Sequence, residues 1–146
     1  MNPLLSPKLA RERAERAADV LAADPRVRLV FLFGSAADPE RPSVGDIDLA
    51  VLSEPALELG ELLRLRADLI DAAGPGIDLV ALNEAPVVLA HEVATGGNCL
   101  FSREEGLDTD FVVRSILRYL DYKHYLDQQW QVSGERLEER QRGLAR

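Results

Sequence analysis

The chain has 146 residues, which suits one domain with a buried core and leaves little room for a second globular unit. Its 25 acidic residues outnumber its 17 basic residues, and the formal net charge of −8 argues against a nonspecific nucleic-acid binder, which normally has a basic surface. A single cysteine permits no internal disulfide, and one cysteine with two histidines gives no convincing set of zinc ligands. The sequence has no apolar run long enough to span a membrane and no signal-peptide core, which predicts a cytoplasmic protein.

Helical and strand-like patterns alternate along the chain, which predicts an α/β fold. The predicted elements, in chain order, are a helix from the Ser6-Pro7 cap to the Asp24-Pro25 stop, strands at Val27–Phe33 and 46–52, a helix at 57–73, a strand at 77–82, a helix from Pro86 to Gly96-Gly97, a strand at 99–101, and a helix from Asp108 or Thr109 past Tyr125. Residues 133–146 (SGERLEERQRGLAR) are charged and weakly apolar, which predicts a frayed or solvated tail after a domain of residues 1–132.

The most informative motif is Gly34-Ser35, followed after ten residues by Asp46-Ile47-Asp48. The strand before it is almost continuously apolar, as in a strand covered on both faces, and the glycine at its end allows a tight turn. Alternation along the next strand puts Ile47 on one face and both aspartates on the other, with their α-carbons about 6.6 Å apart. Two carboxylates this close repel each other unless a cation lies between them, so the motif indicates a nucleotide-handling site.

Magnesium suits such a pair, because it takes hard oxygen ligands and is commonly held by one or two carboxylates together with substrate phosphates. A third carboxylate, Asp78, opens the strand that follows the turn Gly74-Pro75-Gly76. On three adjacent strands, Asp46, Asp48 and Asp78 are predicted to hold two metal ions about 3.5 to 4 Å apart, one on a triphosphate and one on an attacking hydroxyl. Asp78 is then both a ligand and a candidate general base.

Each feature also has an ordinary structural explanation. An Asp-x-Asp pair is common on solvated strand faces, and Gly-Ser after a strand is often only a turn. Their conjunction with a buried strand before and a further strand-borne aspartate after favours function. For His91, which lies mid-helix, and Cys99, which we expect to be buried in its strand, a structural role is favoured.

Residues 33–52 (FGSAADPERPSVGDIDLAVL) resemble the G-S-x10-D-x-D signature of minimal nucleotidyltransferases, a branch of the DNA polymerase beta superfamily. The resemblance extends over most of the chain, since Asp78 in GIDLVAL matches the third acid of the family and residues 85–105 resemble its helix, glycine and apolar-strand ending. The C-terminal tail lies outside the resemblance. Family members often carry an arginine or another polar residue soon after Gly-Ser and a serine just before the first aspartate. This chain has Ala36-Ala37 and Gly45 there, with Arg41 as a candidate replacement.

The resemblance implies a small mixed sheet of about four strands flanked by helices, and magnesium-dependent transfer of AMP from ATP to a hydroxyl. Gly34 and Ser35 are expected to hold the phosphates, and Asp46, Asp48 and Asp78 the metal. The chain has no room for a separate acceptor domain, so the acceptor is expected to be another protein. By resemblance this is a HEPN-type toxin, adenylylated on a tyrosine by its antitoxin in a type VII-like pair that forms a hetero-oligomer.

Two other functions remain open at this point. The chain could neutralise its partner by binding alone, with a vestigial site. It could also modify a small molecule, as aminoglycoside nucleotidyltransferases do, although those enzymes normally carry an additional helical domain.

The last predicted helix has two further features. Its apolar residues Val112, Val113, Ile116, Leu117 and Leu120 form a stripe that we expect to be core, while Tyr119, Tyr122, Tyr125 and Trp130 offer either ordinary packing or an aromatic surface for a partner. The spacing of Arg118 and His124 resembles the catalytic motif of HEPN ribonucleases. On a straight helix these two side chains point about 120° apart, and that motif belongs to an all-helical fold, so we reject the second resemblance.

Overall fold

The structure, a computed structural model, describes residues 4–144. The helices are α1 (Pro7–Ala22), α2 (Leu59–Ala73), α3 (Val87–Gly96) and α4 (Leu107–Leu144), and the strands are β1 (Val27–Phe33), β2 (Ile47–Ser53), β3 (Ile77–Ala81) and β4 (Asn98–Ser102). The predicted order of helices and strands is confirmed, and β1 has the predicted bounds. A single 3-10 turn, Gly34–Ala37, follows β1.

The strands form one mixed sheet in the order β3-β2-β1-β4. β1 pairs antiparallel with both β2 and β4, while β2 pairs in parallel with β3. A parallel neighbour requires a crossover, and α2 supplies it between β2 and β3. The sheet therefore matches the predicted small mixed sheet of about four strands flanked by helices.

Helices cover the two faces of the sheet unequally. The face that carries Ile47 and Leu49 packs against α1 and α2, with the buried alanines of α1 allowing close approach. The opposite face carries Phe31 and Ala50 and packs against α3 and the first turns of α4, where Phe111 lies 5.3 Å from Phe31 between ring centroids. Because side chains alternate along β2, Asp48 belongs to this second face.

Two predictions about the end of the chain need correction. The apolar stripe of α4 is not all core, because Val113, Leu117 and Leu120 are each at least half exposed. Only one side of this helix lies against α3 and the sheet, so a wide stripe cannot be fully covered. Residues 133–144 continue α4 as helix rather than fraying, although their described side chains are exposed as a solvated tail would be. The domain boundary at residue 132 stays a prediction.

The structure also shows the surroundings of the two histidines and the cysteine. His91 stacks on Tyr119 with ring centroids 3.7 Å apart, in keeping with a structural role. Cys99, predicted to be buried, is exposed, because β4 is an edge strand. Arg118 and His124 are both exposed on α4. Within residues 4–144, no helix combines the length and apolarity needed to cross a membrane.

Candidate active site

The predicted phosphate-binding turn contacts the second aspartate of the motif. Gly34 has a φ of 70°, a left-handed conformation that glycine adopts without strain. Its missing side chain matters as well, since a β-carbon built there would lie 2.5 Å from Oδ2 of Asp48. Phe33, the residue before the glycine, pairs with Asp48 in the β1–β2 ladder, and this register brings the turn and the carboxylate together.

The three predicted carboxylates come together on two strands, not three. Asp46 directly precedes β2, Asp48 is its second residue, and Asp78 is its parallel partner in β3 at the same level as Asp48. Asp46 is exposed and Asp48 partly buried, while the side chain of Asp78 is 56% exposed. One end of the β2–β3 pair therefore carries a row of acids open to solvent.

Mutual repulsion among these acids appears in the protonation of Asp48. Partial burial raises the pKa of Asp48 above its ordinary value, and the negative charges of Asp78, Asp46 and Glu92 raise it further. Glu92, on α3, was not identified from the sequence, because nothing in its local pattern reveals that α3 faces the start of β2. A cation bound beside Asp48 would oppose this shift, because it stabilises the ionised carboxylate.

Asp78 has a basic partner, which the sequence also did not reveal. Nη2 of Arg66 lies 3.0 Å from Oδ1 of Asp78, and its Nε donates a hydrogen bond of 3.2 Å to the backbone carbonyl of Ile77. Arg66 belongs to α2, on the opposite face of the sheet, so its side chain reaches around the free edge of β3. The third carboxylate is thereby directed toward α2.

Asp46 and Asp48 fit a divalent cation better than all three acids do. Neither takes part in an ion pair within the described part of the chain. Over the same residues, no three acidic, histidine or cysteine side chains are gathered closely enough to hold a metal ion on their own. Two carboxylates that rely on substrate phosphates for the remaining ligands are a usual arrangement for magnesium.

A cavity of about 490 Å³ opens beside the turn. Its lining consists of Gly34, Ser35, Ala37, Asp38, Pro39, Arg41, Glu92 and Gly96. The three aspartates are not part of this lining, but Gly34 connects the cavity to Asp48 through their close approach. Arg41 is the one basic residue of the lining, at the place where the sequence suggested a replacement for the usual arginine. The cavity therefore combines a glycine turn with a basic side chain, a combination that can bind an anion.

The chain is similar to known nucleotidyltransferases over most of its length. The family described as polymerase beta, nucleotidyltransferase matches residues 15–106, a range that contains every predicted site residue. The protein adenylyltransferase MntA of Shewanella oneidensis is 34% identical over 95 residues, which cover 65% of this chain and 68% of that protein.

Solved structures of toxin-antitoxin complexes are also similar to this chain. The tri-AMPylated Shewanella oneidensis HEPN toxin in complex with MNT antitoxin gives a TM-score of 0.66 at 27% identity, covering 86% of this chain and 97% of the matched one. A toxin-antitoxin structure with AMP-PNP gives a TM-score of 0.68 at 28% identity, covering 84% and 96%. Because the family match spans more than half of the chain and includes the Gly-Ser turn and all three aspartates, the chain belongs to the polymerase beta nucleotidyltransferase family.

Proposed function

We propose that this chain is a protein adenylyltransferase that moves AMP from ATP to a side-chain hydroxyl of a HEPN-type toxin. The acceptor is a tyrosine hydroxyl, and by modifying the toxin this chain acts as its antitoxin. The observation that carries the proposal is the contact between the Gly34 turn and the Asp48 carboxylate, which joins a phosphate-binding loop to a metal-competent pair. The named relatives support it, since one is a protein adenylyltransferase and another was solved with an AMPylated HEPN toxin. Because ATP is the substrate, the reaction belongs in the cytoplasm.

Each part of the site has a role under this proposal. The backbone N–H groups of the turn and the hydroxyl of Ser35 bind the phosphates, and Arg41 adds a positive charge at the cavity wall. Asp46 and Asp48 would hold magnesium, while Asp78, which is paired with Arg66, would act as the general base. When bound, the metal neutralises charge on the triphosphate and on the attacking oxygen.

The transfer is an in-line displacement at the α-phosphorus. The acceptor oxygen forms the new bond as the bond from the α-phosphorus to the bridging oxygen breaks, and pyrophosphate leaves with that electron pair. Asp78 is an exposed carboxylate that can accept the hydroxyl proton, and Arg66 positions it. The open acid row leaves room for an acceptor side chain from another molecule.

The direct test is intact mass spectrometry of candidate HEPN-type partners from the same genome, incubated with this chain, ATP and magnesium. We expect a mass gain of one or more adenylyl groups. Asp46→Asn/Asp48→Asn should abolish the gain, because it removes both unpaired carboxylates. The matched control is Asp19→Asn/Asp71→Asn, which makes the same charge change on exposed positions of α1 and α2 and should leave the gain intact.

Two outcomes would contradict the proposal. A stable complex that protects against the toxin without any mass gain would indicate neutralisation by binding alone. Adenylyl transfer to a small hydroxylated compound, with no modified protein, would indicate a drug-modifying enzyme instead.

A further inference from the structure

The second half of α4 extends beyond the domain. The helix has 38 residues and is therefore about 57 Å long. Its first part is anchored, because Phe111 packs on the sheet, Ser115 is buried and Tyr119 stacks on His91. From residue 121 to residue 143, every side chain except that of Leu126 is exposed. Within the described chain, nothing covers this segment, which we call the projecting helix.

The projecting helix has an apolar stripe. At about 100° per residue, its large apolar side chains fall within an arc of about 160° centred on Tyr122. These side chains are Tyr122, Tyr125, Leu126, Trp130, Val132 and Leu137. Trp130 is 75% exposed and Leu137 59%. Most helix stability in proteins comes from packing such a face, and Gly134 within the helix costs about 1 kcal/mol, so the segment needs a partner to remain helical.

The charges beside the stripe identify that partner. Arg118, Asp121, Arg136 and Glu139 all lie on the same flank, within about 100° of Tyr122 in the same rotational sense. In an antiparallel pair of identical helices related by a two-fold axis, each flank faces the same flank of the other copy. In the register that sets Gln128 opposite Gln129, the antiparallel pairing places each of these arginines opposite an acid of the second copy.

The resulting pairs are fully complementary. Arg118 faces Glu139 of the second copy, Asp121 faces its Arg136, and symmetry repeats both pairs. Among the ion pairs of residues 4–144, none uses any of these four side chains, so all four are available. In a parallel pair, opposite flanks meet and each residue lies at the level of the same residue in the second copy. These arginines and acids would then not be paired.

The same register also joins the apolar side chains. Tyr125 lies opposite Val132 of the second copy, and Leu126 lies within one residue of the position opposite Trp130. The overlap from residue 118 to residue 139 is about 33 Å long, and within it Tyr119 already stacks on His91 of α3. Charge and apolar contacts thus agree on one arrangement.

We propose that a second copy of this chain covers the stripe, forming a two-fold antiparallel dimer through the projecting helices. The dimer does not depend on the acceptor, so it can be tested without the toxin. The polar flank sets the register, and the apolar stripe provides most of the buried surface.

The test is sedimentation equilibrium of the full chain alone, with Arg136→Glu, Asp121→Arg and the combined variant. Each single reversal places like charges opposite each other twice per dimer, and we expect the dissociation constant to rise at least tenfold. The combined variant restores opposite charges and should return the constant to within threefold of wild type. Glu138→Arg, on the far side of the helix, is the matched control and should change it little. Circular dichroism at equal dimer fraction checks that each variant folds.

Several results would overturn the dimer. A wild-type chain that stays monomeric at about 100 μM would refute it, and equal dimerisation of all variants would place the interface elsewhere. A failure of the combined variant to recover would refute the register. A monomer whose binding to a HEPN-type partner is lost with Trp130→Glu would assign the stripe to that partner instead.

Discussion

Replacing Gly34 with alanine tests whether the turn and the carboxylate act as one unit. The new β-carbon would start 2.5 Å from Oδ2 of Asp48, about 0.9 Å inside an ordinary contact distance. Either the carboxylate or the turn must move by this amount. A displacement of about 1 Å in a catalytic constellation can cost about 100-fold in rate, equivalent to about 2.7 kcal/mol. The positive φ adds about 1 to 2 kcal/mol of backbone strain, which lowers stability separately.

The assay measures kcat/KM for adenylyl transfer, the affinity for a nonhydrolysable ATP analogue and the free energy of unfolding in urea. We expect Gly34→Ala to remain folded, with kcat/KM lowered about 100-fold. Gly45→Ala is the matched control, because a β-carbon there meets nothing within 4 Å and the residue lies one position before Asp46. Activity of Gly34→Ala within threefold of wild type would refute the reasoning, since it would mean that the contact with Asp48 has no role in the site.

Three further substitutions test other parts of the molecule. Asp24→Asn neutralises the carboxylate that accepts three hydrogen bonds from Arg26 and replaces one of its oxygens with an NH2 group that cannot accept, so it should cost about 1 kcal/mol at pH 7 in urea denaturation. These bonds, above all the side-chain bond, hold the pKa of Asp24 below its ordinary 3.8. The stability they provide is therefore present above pH 3.8 and is lost as the pH falls further. A stability difference between wild type and variant that persists unchanged at pH 2 would contradict this. Arg66→Gln releases Asp78 from its ion pair and makes the net charge around the acid row more negative by one. Manganese should then bind about twofold to fivefold more tightly, as measured by calorimetry. Weaker binding would show that Arg66 supports the metal site. Arg41→Ala should weaken binding of the ATP analogue several-fold without altering manganese affinity, and an unchanged nucleotide affinity would remove Arg41 from the phosphate site.

Sequence patterns predicted the parts of this protein that depend on local chemistry. β1 is apolar except for Arg28 and lies between a proline turn and a glycine, so its bounds were correct to the residue. The spacing from Gly34 to Asp48 predicted a shared site, and the β1–β2 register provides the contact. Alternation along β2 also placed Asp48 and Ile47 on different faces, as observed.

The sequence failed where the answer depends on what lies across the fold. Arg66 reaches Asp78 only because α2 crosses behind the free edge of β3, and no spacing along the chain encodes that path. Likewise, apolar periodicity shows that α4 has an apolar side without showing what covers it, so Leu117 was expected in the core and is 55% exposed.

Helix α3 connects the base of the projecting helix with the candidate active site. Tyr119 is the last anchored aromatic of α4 and stacks on His91, while the next residue of α3, Glu92, lines the cavity and raises the pKa of Asp48. The projecting helix therefore begins close to the part of α3 that lines the cavity. A second helix paired with it would form one wall of the approach to the carboxylates, and the acceptor would have to enter between that wall and the open end of β2 and β3. On these grounds, breaking the helix pair should change the KM for a protein acceptor more than the affinity for ATP, because the cavity proposed to bind ATP is lined by residues of one chain.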